Sequence, residues 1–75
     1  MRYTTVKGLQ DSVNITIYGN VGLIGRVMEL GKQVGALTYE VELSGAEIKE
    51  KIFLADEYKD QLHPEHRYLI TSYDW

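Results

Sequence analysis

Alternation of apolar and polar side chains is the feature that most constrains this chain. In Leu37-Thr38-Tyr39-Glu40-Val41-Glu42-Leu43 every odd position is apolar. Two is the side-chain period of a β-strand, so Leu37, Tyr39, Val41 and Leu43 are expected on a core face, with Thr38, Glu40 and Glu42 in water. Val13-Asn14-Ile15-Thr16-Ile17-Tyr18 repeats the pattern. Gly22 to Leu30 is apolar and β-rich, and Gly22 and Gly25 read as the marks of a bulge or a close backbone approach in a further strand. Ile48 to Leu54 alternates charges with Ile52 and Leu54 and reads as another. Tyr68 to Tyr73 is the last, where the adjacent Leu69 and Ile70 predict burial on both faces. Arg2 to Lys7 is expected as a sixth strand at a sheet edge.

The connections carry turn residues. Gly19-Asn20 follows the first alternating run, and Gly31 to Gly35 is a loop with a glycine at each end. Ser44-Gly45 reads as a two-residue hairpin turn, which would bring Glu42 close to Lys49 across it. One short helical turn is predicted near 56–62, with Asp56 as its cap and Tyr58 and Leu62 on one side. His63-Pro64 then ends it. Short strands at roughly ten-residue spacing predict an all-β barrel or meander, formed by residues 1–75 as a single domain.

The 75 residues include no cysteine, which removes disulfides, thiolate metal sites and cysteine nucleophiles. A cysteine-free chain this small fits a reducing cytoplasm. Met1 to Thr5 lacks the apolar core of a signal peptide, and no apolar run reaches the length of a membrane helix. Net charge is −3. The acids concentrate after residue 39, while the basic groups Arg2, Lys7, Arg26 and Lys32 form no dense stripe of the kind that duplex binding needs.

The order of elements resembles that of SH3-like barrels: strand, glycine-marked strand, hairpin, strand, short helical turn, final strand. Gly19-Asn20-Val21-Gly22-Leu23-Ile24-Gly25-Arg26-Val27 resembles a KOW-type signature, in which spaced glycines precede a hydrophobic strand residue. Phe53-Leu54-Ala55-Asp56-Glu57-Tyr58 is similar to the late-strand, acidic-turn passage of small photosynthetic and ribosome-associated SH3-like subunits. The resemblance spans residues 13–73. It implies a small SH3-like barrel of five to six strands, and a nucleic-acid or ribosome-associated role with Arg26 and Lys32 as phosphate contacts.

The residues themselves favour protein contacts. No G-x-S-x-G elbow, Walker loop or H-E-x-x-H stretch occurs, so no catalytic residue, cofactor or metal is assigned. His63-Pro64-Glu65-His66 is the densest group of metal-capable side chains, but Pro64 disfavours helix at His63, and the segment reads as a surface loop. The acids and tyrosines are the stronger lead. Glu40, Glu42, Asp56, Glu57, Tyr58 and Trp75 are the expected protein-binding residues, because exposed aromatic and charged groups anchor interfaces. The chain is thus expected to be a small accessory or regulatory protein of the phage or mobile-element type. It would dock on a larger partner, with nucleic acid disfavoured by the acidic charge. An uncovered edge strand such as Arg2 to Lys7 adds self-association to the expectations.

Overall fold

Alternating runs can bury only one of their two faces, and here the chain covers that face with helices. The computed structural model describes residues 2–10 and 13–74. In chain order the elements are β1 (Arg2–Gly8), β2 (Asn14–Tyr18), α1 (Val21–Leu30), β3 (Lys32–Gly35), β4 (Thr38–Ser44), α2 (Gly45–Lys51), α3 (Asp56–Lys59) and β5 (Arg67–Asp74). The protein is mostly β. Its five strands form one antiparallel sheet in the order β2-β1-β5-β4-β3. The C-terminal strand lies in the middle, paired with β1 from Arg2↔Asp74 to Gly8↔Tyr68 and with β4 from Thr38↔Tyr73 to Ser44↔Arg67.

The inner face follows from the register. Val6, Ile70 and Val41 form one cross-strand row, extended by Ile15 of β2; Tyr68 and Leu43 lie in the next. Leu23 and Val27 of α1 and Ile48 of α2 close over these rows, together with Ile52, Leu54 and Leu62. Thr4 and Ser72 are the polar members of this face. Both are fully buried and cross-strand partners, and their hydroxyls share a 2.9 Å hydrogen bond. Each thereby satisfies the other out of reach of water. Tyr68 is also fully buried, and its hydroxyl accepts a 2.8 Å bond from the His63 backbone N–H.

The strands expected at 13–18, 37–43 and 68–73 form close to those bounds, and Tyr39, Val41 and Leu43 face the core as alternation requires. Leu37 precedes β4 and stays exposed. Elsewhere the structure corrects the expectations. Residues 22–30 are helix. Leu23, Val27 and Leu30 recur at helical spacing, and the Asn20 side chain accepts a 3.0 Å bond from the Leu23 N–H as N-cap. Gly22 and Gly25 therefore lie on helical turns and mark no bulge, while Gly19 adopts φ 71° in the turn before them, a conformation that suits glycine. The segment Ile48 to Leu54, expected as a strand, lies in α2 as far as Lys51 and forms no strand beyond it. Ser44-Gly45 makes no hairpin: Ser44 and Glu47 form a reciprocal capping box, with bonds of 3.0 and 3.2 Å.

The helical turn near 56–62 is present as α3 with turn residues after it, but Ala55 occupies the cap position and Asp56 is already helical. Arg2 to Lys7 is a strand, yet not an edge. It lies between β2 and β5, and the edges are β2 and β3. These two edges do not meet, so the sheet is open and is not closed into a barrel.

Candidate protein-docking face

All helices pack on the inner face, which leaves the other side of the sheet bare. The same register that aligns the core aligns this outer face into rows. At one end Tyr18, Tyr3 and Tyr73 are successive cross-strand partners. Tyr3 stacks on Tyr73 with ring centroids 4.5 Å apart, and Tyr18 tilts against Tyr3 at 5.8 Å. Tyr18 remains 68% exposed at the end of this row. The next row runs Thr16, Thr5, Thr71, Glu40 and Lys32. The third holds Asn14, Lys7, Leu69 and Glu42.

At the far end Arg67 reaches two acids. Its Nε lies 3.0 Å from Glu42 Oε2, and one of its terminal nitrogens lies 3.6 Å from Glu47 Oε1. Arg67 is therefore the partner of Glu42, in place of the expected Lys49. Hydrogen bonding to Ser44, through its backbone first and its side chain second, holds the Glu47 carboxyl below its ordinary value of 4.5 against the opposing effect of burial, and the nearby charges of Lys51 and Arg67 lower it further.

Between β4 and the start of β3 lies an open groove of about 450 Å³, lined by Leu30, Lys32, Glu40, Glu42 and Leu69 among others. It exists because β3 pairs with β4 only as far as Glu40, leaving Val41 to Ser44 without a neighbour on that side. The backbone makes the same approach close at Gly31, where a Cβ would overlap the Glu40 carbonyl.

The expected site residues do not form one surface. Glu40 and Glu42 stand on the bare face, beside the groove. Asp56 and Glu57 are exposed in the first turn of α3, and Tyr58 is half-buried against the core on the helix-covered side. Trp75 lies outside the described residues. Arg26 and Lys32 are also separated. Arg26 is on α1, held by Glu29 at 2.9 Å and by the Lys51 carbonyl at 2.8 Å, whereas Lys32 faces Glu40 across the β3–β4 pair. His63 and His66 lie in a turn with their rings stacked, centroids 4.4 Å apart.

The tyrosine row is what sequence reasoning missed. Tyr18 occupies an outward position of an alternating run and Tyr3 lies in the expected strand Arg2 to Lys7, but their alignment with Tyr73 depends on which strands are neighbours. No protein-family model, curated protein or solved structure matches this chain. Among the described residues, no helix is long and apolar enough to cross a membrane.

Proposed function

We propose that this chain is a non-enzymatic docking module that seats a larger protein on the bare face of its sheet. The row Tyr18-Tyr3-Tyr73 is the observation that carries the reading. Tyrosine supplies large contact area at a low cost in side-chain entropy and is enriched where binding energy concentrates. Three such rings side by side on the outer face of the sheet do nothing for the core beneath it. Glu40 and Glu42, on β4 beside the groove, orient a basic group of the partner there and set the register of docking. Asp56, Glu57 and Tyr58 belong to the other layer and are not part of this face.

A photo-crosslinking residue in place of Thr5, at the centre of the bare face, tests the reading against the same residue in place of Lys49 on the exposed side of α2. The expected result is one protein from the native host captured at Thr5 and not at Lys49. Binding of that purified protein should then weaken at least about tenfold on Tyr18→Ala. Capture at Lys49 alone, or affinity indifferent to Tyr18→Ala, would move the interface to the helices. Capture of RNA at Thr5 would replace the protein partner with a nucleic acid.

A further inference from the structure

The two edges of the sheet are built differently. β3 has four residues, begins at Lys32 and carries a register shift between Gln33 and Gly35. The Gln33 side chain is bonded back to the Ala36 carbonyl at 2.8 Å. A short, charged, irregular strand is a poor template for another strand. β2 has none of these protections. Asn14-Ile15-Thr16-Ile17-Tyr18 contains no charge, proline or glycine, and pairs with β1 without interruption.

The phase of the β1–β2 ladder is set by the bonds at its two ends, Gly19 N–H to the Arg2 carbonyl at 2.9 Å and Gly8 N–H to the Val13 carbonyl at 2.7 Å. In an antiparallel pair the bonded residues alternate. Ile15 and Ile17 therefore turn their peptide groups to β1, and Asn14, Thr16 and Tyr18 turn theirs outward, where the sheet has no further strand.

We infer that β2 is a self-pairing edge, and that its occupant is β2 of a second copy of this chain, antiparallel about a two-fold axis through Thr16. The outward groups are complementary to themselves in that register. Thr16 faces Thr16, Asn14 of each copy faces Tyr18 of the other, and each of these is a pair that exchanges both N–H···O bonds. Ile15 and Ile17 come opposite each other on the inner side, where Ile17 is only half-buried in the single chain. No like charges meet, because the strand has none. α1 makes its main contacts with β5, β4 and β1, away from the outward edge of β2. The bare faces of both copies lie on the same side, and the threonine row continues from Thr71 and Thr5 through Thr16 into the same residues of the second copy. The contact is one short strand wide, so the association is weak, in the range of about 0.1 mM.

Sedimentation velocity over about a hundredfold concentration range, reaching about 1 mM, tests this. The expected result is a mass rising from 8.6 kDa toward twice that value. Thr16→Lys sets two ammonium groups opposite each other at the axis and should weaken association at least about tenfold, with an unchanged circular dichroism spectrum because Thr16 is exposed. Glu50→Lys, on the exposed side of α2, should not. Amide exchange in the unmodified chain gives a readout independent of any variant: Asn14, Thr16 and Tyr18 should slow together as concentration rises. A chain still monomeric at about 1 mM overturns the inference, as does a dimer equally stable in Thr16→Lys, or slowing confined to amides outside β2. These outcomes do not depend on a partner at Thr5, so the docking reading stands or falls separately.

Discussion

The two faces of the sheet are made by the same strands in the same register, and they obey different rules. Val6, Ile70 and Val41 form a row on the inner face; Thr5, Thr71 and Glu40 form a neighbouring row on the outer. The inner row is sealed by helices, so each side chain there is chosen by volume and by the need to leave no polar atom unpaired. The outer row meets water and carries no such demand. Tyrosines gathered where packing does not ask for them are best understood through what else they touch, which is why the docking proposal rests on them.

Substitutions at adjacent positions put the contrast to the test. Ile70→Ala should cost about 2–5 kcal/mol in urea unfolding, through lost burial and the cavity beneath α1. Thr71→Ala, one residue away on the other face, should cost less than about 1 kcal/mol. Equal effects would mean that the outer face is covered too. The attachment of the helical layer is tested at Gly45, where a Cβ would overlap the His63 carbonyl and crowd Pro64. Backbone must move to admit it, so Gly45→Ala should lose about 2 kcal/mol or more by thermal melting.

A like-for-like comparison is available in Thr4 and Thr5. Thr4→Val leaves the buried Ser72 hydroxyl without its partner and should cost about 1–2 kcal/mol, largely recovered when Ser72→Ala is added. Thr5→Val should stay within about 0.5 kcal/mol of the parent. Gly25→Ala should have the opposite sign. A Cβ there meets nothing within 4 Å, and alanine in a helix interior gains about 0.5–1 kcal/mol over glycine. Destabilisation would argue against α1.

The smallest effect is one of pH. The Glu47 carboxyl is held below 4.5 in the folded chain. A lowered value contributes stability that is present above the ordinary value and lost as pH falls through the folded one. The stability difference between the parent and Glu47→Gln should therefore be present at neutral pH and shrink below pH 4.5, as read by denaturant melts across that range. A difference that grows on acidification would reverse the assignment.

What could be read along the chain follows from period. β2, β4 and β5 announce themselves because alternation is a property of consecutive residues, and it also places Glu40 and Glu42 outward without further information. α1 and α2 were misread for identifiable reasons. Val21 to Leu30 is a short apolar run with two glycines, and such a run fits strand or helix equally. Its helical marks are Asn20 and the spacing of Leu23, Val27 and Leu30. At Ser44-Gly45-Ala46-Glu47 the same letters serve as a hairpin turn or as a capping box, and docking decided between them: the Gly45 and Ala46 N–H groups bond to the carbonyls of His66 and Pro64.

By itself, then, the sequence determined that β2, β4 and β5 are extended, which of their residues seek the core and where the acids lie, because those are local consequences of periodicity and hydration. Only the tertiary structure decided that β5 inserts between β1 and β4. That long-range pairing makes β2 an edge and keeps the sheet open. It also brings Tyr3, Tyr18 and Tyr73 into one row, because side chains far apart in sequence become neighbours only through the order in which strands share hydrogen bonds.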